Sequence, residues 1–421
     1  MHRFPAVLVA VRIAIVMLAV CQSSVRGAGD TTDQRRKILS LGALTSAPEV
    51  VDASADASSV SDSELKAIYF KGLDWEDRPT RVFAWLGIPK DHSEKVPGMV
   101  LVHGGGGTAF KDWVKEWTDR GFAAIAIATE GQTDVKVPDS SKWGFSWHKH
   151  EFPGPARIGI YEDTNKPVEN QWMYHAVADT ILANSLLRSL PGVDANKVGL
   201  MGISWGAIIA NTVMGVDPRF LFAIPTYGCG RMAGVDNYFG KLLTSNEDYR
   251  SIWDPILFLK QAEMPSLWLS SPTDEHFSLE SLSACARETP GARMLALIPG
   301  FKHSNPAAVA RGESYAFAES IVKNGKPWCC QVDVSSDGTA ATATFQSDKN
   351  LEQAMLVSTV DTGFTGRRNW IQTPAELRRN GDLWVVTAPL PAKTTAWFIN
   401  VLSGNLTASS DFQSRGAENP N

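Results

Sequence analysis

The sequence contains 421 residues, of which 44% are hydrophobic and 20% are charged, and its formal net charge is -5 at pH 7. This length and composition predict one large hydrophobic core accompanied by a smaller module. The acidic balance, with no basic patch along the sequence, argues against nucleic acid as a partner.

Residues 1–28 have the pattern of a secretory signal peptide. Two arginines precede a short apolar run over 13–21, and small residues that suit a signal peptidase follow. The run is shorter than the ~20 apolar residues of a membrane helix, and no later segment approaches that length. A lipoprotein signal is the less favoured alternative, because Val20 before Cys21 is larger than the residue normally found there. We expect export to the periplasm or out of the cell, without an integral membrane span.

Composition divides the rest of the chain into four segments. Residues 29–64 are rich in Ser, Ala, Asp and Thr, which predicts a flexible leader. Over 65–328, apolar runs alternate with segments of helical period, which predicts an α/β domain with a mostly parallel sheet of about eight strands and helices on both faces. Short Thr- and Val-rich runs over 331–408 predict a small β-sandwich. The polar segment 409–421 is expected to be a disordered tail.

Eight apolar runs are the predicted strands of the central sheet. They cover 67–70, 82–86, 99–103, 123–128, 198–201, 222–226, 266–269 and 294–298. One clear helix is predicted over 168–189, with its apolar residues on one face. This helix leads into the strand that precedes the most informative motif.

Residues 202–206 read Gly-Ile-Ser-Trp-Gly, between a predicted strand and a helix. This is the context of a nucleophile elbow. The two glycines permit a tight turn and close backbone packing, and the turn projects the Ser204 hydroxyl at the edge of the sheet. The start of a helix at this point also favours developing negative charge. The motif alone is a weak signal, but its context predicts Ser204 as a nucleophile.

His103 and the four glycines that follow it form a second motif directly after a predicted strand. Glycines leave backbone N–H groups open to the oxyanion of a tetrahedral intermediate. We assign one donor to the N–H of Gly105 and the other to the N–H of Trp205. The alternative of a phosphate-binding turn is disfavoured, because the Lys-Ser/Thr ending of a P-loop and the G-x-G-x-x-G spacing are missing.

A general base is expected after Ser204 in the chain, since elbows of this type have the order Ser, acid, His. Only His276 and His303 lie beyond Ser204. His276 shares a loop with the best candidate acid, whereas His303 follows the last predicted core strand. The sequence therefore predicts His303 as the base.

The candidate acid is Asp274, which lies just past the strand over 266–269. Functional groups collect at this carboxyl end of a parallel sheet. Glu275 is its nearest rival. In the mechanism that these assignments imply, His303 takes the proton of Ser204, Asp274 orients the imidazole, and water resolves an acyl-enzyme.

An aromatic- and proline-rich stretch between 143 and 172 fits neither helix nor strand and is expected to wall the substrate pocket. Because aromatic rings stack on sugar faces, Trp147, His148 and Trp172 are candidate substrate-binding residues. The alternative is a long surface loop. A metal site at His148 and His150 is disfavoured, since two histidines alone make a poor site. We expect neither a metal nor a cofactor.

Four cysteines lie beyond the predicted signal peptide: Cys229, Cys285, Cys329 and Cys330. An oxidising compartment would allow one or two disulfides. The adjacent Cys329 and Cys330 cannot easily pair with each other, because disulfide geometry opposes it. The sequence leaves the pairing open.

With these motifs in place, the chain resembles secreted bacterial acetyl xylan esterase-like and dienelactone hydrolase-like α/β-hydrolases. The most specific stretches are the glycine loop with its strand at 96–110, and the segments 171–179, 186–194 and 202–206. The resemblance implies an α/β-hydrolase fold and a serine ester hydrolase that deacetylates a carbohydrate or cleaves another short-acyl ester. It also implies the nucleophile, acid and base named above.

Two departures bear on the substrate. Dienelactone hydrolases proper have cysteine at the nucleophile, so Ser204 argues against their reaction. Ala207 stands where relatives often have another glycine. Neither departure removes a catalytic group.

Two alternative functions remain open. A prolyl-oligopeptidase-like serine peptidase shares this core, but the ~35 residues of leader cannot supply the usual N-terminal propeller. A non-catalytic polysaccharide-binding protein is the other alternative, and the intact set of Ser204, Asp274 and His303 argues against it. The sequence favours a secreted serine carboxylic-ester hydrolase.

Overall fold

The computed structural model describes residues 28–59, 64–90, 93–141 and 144–415, with only the backbone described for 28–30. The predicted signal peptide, apart from its last residue, lies outside the described residues. In the described part of the chain, no helix combines the length and the apolar character needed to cross a bilayer.

The helices range from single turns to the long helix before the Ser204 strand. In chain order they are α1 Ala28–Ser40, α2 Lys111–Thr118, α3 Trp172–Ser189, α4 Trp205–Val216, α5 Tyr238–Thr244, α6 Ile256–Leu259, α7 Leu279–Glu288, α8 Asn305–Val309 and α9 Gly312–Asn324. Short 3-10 turns cover Leu41–Ala43, Ser54–Asp56, Val168–Asn170 and Thr365–Arg367, and a π-helical turn covers Tyr249–Trp253.

The strands fall into a long central sheet, a four-stranded sheet and a two-stranded ribbon. They are β1 Val50–Asp52, β2 Leu65–Lys71, β3 Arg81–Gly87, β4 Val96–Val102, β5 Ala123–Ile127, β6 Gln132–Pro138, β7 Phe145–Lys149, β8 Val193–Ile203, β9 Phe222–Thr226, β10 Ser266–Ser270, β11 Arg293–Leu297, β12 Cys329–Ser336, β13 Ala340–Ser347, β14 Gln353–Thr359, β15 Ile371–Pro374, β16 Glu376–Asn380, β17 Leu383–Pro389, β18 Ala396–Ser403, β19 Leu406–Ser409 and β20 Gln413–Ser414.

All eight predicted strands are confirmed in the central sheet, where they follow the order β2-β3-β5-β4-β8-β9-β10-β11. The six strands from β5 to β11 in this order run parallel, and β2 and β3 join them antiparallel. Successive residues of a strand point to opposite faces. Accordingly, Val100 and Val102 lie in a core with α3 and α4, whereas Met99 and Leu101 lie in a core with α2 and α9. The predicted α/β-hydrolase fold is confirmed.

The predicted helix over 168–189 is present but starts later, at Trp172. Gln171 before it is extended, with a φ of -86° and a ψ of 145°. Its side-chain amide donates to the carbonyl oxygens of Thr164 and Lys166, which stabilises the extended turn. The residues over 168–170 form a separate 3-10 turn instead.

The prediction of a flexible leader over 29–64 is wrong for its described part. The segment forms α1, two 3-10 turns and β1, and β1 pairs antiparallel with β2 through Val50 and Phe70. Ile38 and Leu41 are buried in the core that contains α3 and α4. These two apolar side chains, three residues apart, lie on one face of the segment and pack it against the core. The polar average composition, on which the prediction is based, does not show this contact. Residues 60–63 lie outside the described residues.

The C-terminal strands form two sheets, as a sandwich requires, but one of them belongs to the central sheet. Strand β19 pairs with β11 through Ser409 and Leu295, so β19, β18, β14 and β15 extend the central sheet. The other sheet has the order β12-β13-β17-β16. Side chains from both, such as Phe345 and Ile399, share one core with α9. The predicted domain boundary at residue 331 therefore does not separate two independent sheets.

The predicted disordered tail begins too early. Residues up to 415 are described, and β20 pairs with β18 through Gln413 and Trp397. Phe412 is buried against the core, and this apolar anchor orders a polar segment. Residues 416–421 lie outside the described residues.

Candidate active site

Ser204 stands between the end of β8 and the start of α4. Its backbone has a φ of 57° and a ψ of -116°, a strained conformation for a residue with a side chain. A β-carbon at Gly206 would lie 2.0 Å from the Val102 carbonyl oxygen, and one at Gly202 would lie 2.0 Å from the Gly206 carbonyl oxygen. Only glycine fits at both positions, which explains how the motif forms this tight turn.

The structure brings Ser204, His303 and Asp274 together in one hydrogen-bonded series. His303 Nε2 lies 2.9 Å from Ser204 Oγ, and His303 Nδ1 lies 2.7 Å from Asp274 Oδ2. The other carboxylate oxygen of Asp274 accepts the backbone N–H groups of His276 at 2.9 Å and Phe277 at 2.8 Å. These partners suit a histidine that donates from Nδ1 to the carboxylate and accepts the serine proton at Nε2.

Aromatic rings hold the imidazole of His303 in place. The Tyr227 ring lies 4.2 Å from it between centroids, and the Phe277 ring is nearly parallel to it at 6.1 Å. The Tyr227 hydroxyl donates to the Ser304 carbonyl oxygen at 2.6 Å. Burial raises the pKa of Tyr227 well above its usual range, so the phenol keeps the proton that it donates.

His103 hydrogen-bonds within the glycine loop, and among the described residues no hydrogen bond joins its ring to Ser204 or His303. Its Nδ1 lies 2.7 Å from the Gly104 carbonyl oxygen, and its Nε2 accepts the Thr129 N–H at 3.2 Å. Burial lowers the pKa of His103 and so favours the neutral ring that this arrangement needs. A β-carbon at Gly104 would lie 3.0 Å from the β-carbon of Ser204, so the loop passes directly beside Ser204.

Side-chain donors hold two carbonyl groups of the glycine loop in place. The Gly106 carbonyl oxygen accepts the Trp147 indole N–H at 2.8 Å, and the Gly107 carbonyl oxygen accepts the Gln132 side-chain amide at 3.0 Å. In the described ranges, no turn or loop hydrogen bond uses the N–H of Gly105 or of Trp205. Trp205 is the first residue of α4, so its N–H has no partner within the helix.

The three predicted substrate-binding residues lie in different environments. Trp147 on β7 lines a cavity of about 850 Å³ together with Phe110 and Tyr315, and neither Ser204 nor His303 lines that cavity. His148 is exposed, and strand alternation places it on the opposite face of the β6–β7 ribbon from Trp147.

The prediction for Trp172 is wrong, because its ring offers no surface to a sugar. Trp172 is 3% exposed and lies at the start of α3. Its indole N–H donates to the Thr129 carbonyl oxygen at 2.7 Å, and its ring packs at 5.6 Å against the ring of Trp205. Trp172 thus supports the residue after the nucleophile.

Sequence reasoning missed Arg157, whose guanidinium lies 5.0 Å from the centre of the Trp205 ring. A lone arginine in a Pro- and Gly-rich loop has no spacing relative to the elbow that would have indicated this contact. Tyr227 was missed as well. Its position directly after β9, next to the strand that carries the elbow, was the signal that could have found it.

The four cysteines are free thiols, and Cys229, Cys285 and Cys329 are buried. Burial and a hydrogen bond with Cys285 raise the pKa of Cys229 well above its usual range. In the described part of the chain, these four cysteines therefore form none of the disulfides that the sequence allowed.

Comparison with known proteins finds similarity to acetyl xylan esterases in part of the sequence and in the fold. Residues 47–229 match the family described as acetyl xylan esterase. The solved acetyl xylan esterase 1 from Thermoanaerobacterium sp. JW/SL YS485 is 18% identical to this chain and superimposes with a TM-score of 0.52. The match covers 68% of this chain and 90% of the Thermoanaerobacterium chain. The acetyl xylan esterase from Paenibacillus sp. R4 is 19% identical and has a TM-score of 0.53. This match covers 69% of this chain and 94% of the Paenibacillus chain. At these identities the two structures show the fold. No curated protein matches the sequence.

Proposed function

We propose that this chain is a carboxylic ester hydrolase of the acetyl xylan esterase type, and that it removes acetyl and other short acyl groups from a carbohydrate through an acyl-enzyme on Ser204. The family match ends at residue 229, so it includes the glycine loop and Ser204 but neither Asp274 nor His303. The observation that carries the proposal is therefore the hydrogen-bonded series from Asp274 through His303 to Ser204.

In the first half of the reaction, His303 Nε2 takes the proton of Ser204 Oγ while the oxygen attacks the ester carbonyl carbon. Asp274 orients the imidazole and stabilises its positive charge. The N–H groups of Gly105 and Trp205 face the negative oxygen of the tetrahedral intermediate. Loss of one such donor typically costs about 3–4 kcal/mol of transition-state stabilisation.

The intermediate collapses when the bond from the carbonyl carbon to the alcohol oxygen breaks. His303 gives its proton to the leaving alcohol, and Ser204 keeps the acyl group. Water then attacks the acyl-enzyme, His303 accepts a proton from it, and the carboxylic acid leaves. The proton returns to Ser204 Oγ, so the enzyme is regenerated.

Two observations support a carbohydrate as the alcohol part. The family match is to enzymes named for an acetylated polysaccharide. In addition, the ring of Trp147 is partly exposed beside the glycine loop, where its indole N–H donates to the Gly106 carbonyl oxygen. Aromatic surfaces of this kind suit the apolar faces of sugars. We also propose that the enzyme is exported, on the basis of its N-terminal sequence.

The test is hydrolysis of p-nitrophenyl acetate and its longer acyl homologues, and release of acetate from acetylated xylan. The native enzyme should be most active on acetate, and Ser204→Ala should abolish turnover with the fold intact by circular dichroism. Cleavage of peptide p-nitroanilides in preference to every ester would refute the proposal in favour of a peptidase.

A further inference from the structure

Arg157 reaches the glycine loop from the segment between β7 and α3. A β-carbon placed at Gly105 would lie 3.3 Å from Arg157 Nη2 and 2.8 Å from Trp205 Cδ1. The guanidinium therefore borders the space that a side chain at position 105 would fill. Gly105 and Trp205 are the two residues proposed above as oxyanion donors, so Arg157 adjoins both.

The guanidinium retains unused hydrogen-bond donors. Its Nη1 donates to the Gly159 carbonyl oxygen at 2.7 Å. Its Nε lies 3.5 Å from Glu130 Oε1 but makes no hydrogen bond. In the part of the chain that the structure describes, no hydrogen bond of Nη2 is found, and the side chain is 22% exposed. A guanidinium has five donors in a planar fork that matches a carboxylate.

Two cations and one carboxylate lie close enough to the glycine loop to act electrostatically on His103. Arg157, Lys149 and Glu130 all act electrostatically on the neighbouring His103, and of these three only Glu130 is negative. Lys149 donates to the Glu130 backbone carbonyl, and Arg157 forms a long ion pair with the Glu130 carboxylate. Glu130 thus interacts with two cations, with Arg157 through its carboxylate and with Lys149 through its backbone carbonyl.

We propose that Arg157 binds an anionic group on the alcohol part of the substrate, so that the preferred substrate is an acetyl ester of an acidic, carboxylate-bearing sugar. This inference rests on the proposed function. An acetyl group carries no charge, so an anion close to the reacting ester belongs to the alcohol. A charge-assisted contact from Arg157 Nη2, beside the proposed oxyanion donors, would orient that sugar toward Ser204.

The kinetic test compares two acetyl esters that differ in one charge, 4-acetoxybenzoate and 4-acetoxybenzamide. The readout is the ratio of their kcat/KM values in each variant, because the intrinsic reactivities of the esters cancel between variants. Arg157→Met should lower the ratio by about tenfold or more, the effect of one lost charge-assisted contact. Arg157→Lys should retain part of the preference, and added salt should weaken the preference of the native enzyme.

Arg78 offers a matched control, because it also lies over a tryptophan, 4.8 Å from the Trp75 ring, and pairs with a glutamate, Glu76. Arg78→Met should leave the ratio unchanged. A ratio that stays the same in Arg157→Met would refute the inference. An equal loss on both esters would refute it too, since Arg157 would then stabilise the oxyanion rather than select an anionic substrate.

A binding measurement separates this inference from the proposed function. Ser204→Ala should bind glucuronate more tightly than glucose in an NMR titration, and Ser204→Ala/Arg157→Met should lose that difference. Equal binding of both sugars by Ser204→Ala would overturn the anion site. Continued ester hydrolysis by Ser204→Ala would instead overturn the proposed nucleophile, with the binding result still standing.

Discussion

Ser204 and its neighbours combine a strained backbone with close packing. The positive φ of Ser204 costs on the order of 1–3 kcal/mol and persists because the surrounding chain permits no other turn. Gly206 lies against the Val102 carbonyl, and Gly228 lies against the Ser204 carbonyl, where an added β-carbon would come within 2.4 Å. The hydroxyl is therefore held in line with His303 before any substrate binds.

The two loop carboxylates at 274 and 275 provide a prediction at the same scale. Asp274→Asn should lower kcat by about four orders of magnitude, because an amide facing His303 Nδ1 favours the wrong tautomer. Glu275 is exposed, so Glu275→Gln should change kcat less than about twofold, as expected for a surface substitution. Steady-state rates on p-nitrophenyl acetate distinguish these outcomes. A larger effect at Glu275 would reassign the acid.

At the scale of elements, the β6–β7 ribbon is tied to the glycine loop. The Trp147 indole N–H donates to the Gly106 carbonyl oxygen, and the ring packs edge-on against Phe110 at 6.1 Å and Phe145 at 5.2 Å. The loop that carries the proposed oxyanion donor Gly105 is therefore bound by an element that lies outside the central sheet. This contact gives a role to part of the aromatic stretch that the sequence could not assign to helix or strand.

Trp147→Phe tests this link, because it keeps an aromatic ring but removes the indole N–H. Loss of one hydrogen bond, worth about 1 kcal/mol, should lower kcat by about fivefold on p-nitrophenyl acetate. Trp75→Phe is the control, since the Trp75 indole N–H has no hydrogen-bond partner among the described residues. Equal rates for Trp147→Phe and the native enzyme would show that the ribbon does not support the loop.

His150, the residue directly after β7, should make the stability of the protein depend on pH. Its ring packs 4.9 Å from the Tyr69 ring on β2, and burial, which outweighs the attraction of Asp56, lowers the pKa of His150 to about 4. Below its unfolded pKa of about 6.5 the unfolded chain binds a proton that the folded chain excludes. Stability should therefore fall as the pH drops from 6.5 toward 4.

The size of this effect is on the order of 2 kcal/mol. Urea unfolding of native enzyme and His150→Gln at pH 7 and pH 4.5 measures it. The variant, which has no imidazole to protonate, should lose less stability between the two pH values. An identical loss in both proteins would show that other groups, such as the buried His103, account for the acid sensitivity.

For the whole molecule, the C-terminal strands support the loop of the proposed acid. The 3-10 turn Thr365–Arg367 lies against the loop after β10. Thr365 Oγ1 accepts the Leu279 N–H at 2.9 Å, and Arg368 forms an ion pair with Glu280 at 2.7 Å. The extended central sheet and this turn bind the C-terminal strands to the α/β core at two places. The C-terminal region thus contacts the segment that follows the proposed acid.

Gly366→Ala tests that support. A β-carbon at Gly366 would lie 2.0 Å from the Asp274 carbonyl oxygen. Either the loop that contains Asp274 or the 3-10 turn Thr365–Arg367 therefore has to move in Gly366→Ala. We expect about a tenfold lower kcat and a loss of about 1–3 kcal/mol of unfolding free energy. Gly154→Ala is the control, because a β-carbon there meets nothing within 4 Å. A Gly366→Ala enzyme with native kcat and Tm would show that the contact does not support the acid loop.

Local pattern and chain order were enough to predict the eight core strands, the turn at Ser204 and the later positions of Asp274 and His303. Strands buried on both faces are continuous apolar runs, and the turn requires glycines at set positions. Both features can therefore be recognised in the sequence alone. The tertiary structure alone decided the docking of residues 28–59, the burial of Trp172, the contact of Arg157 with the glycine loop and the joining of the C-terminal strands to the central sheet. These depend on contacts between segments far apart in the chain, and such contacts leave no periodicity or spacing in the sequence.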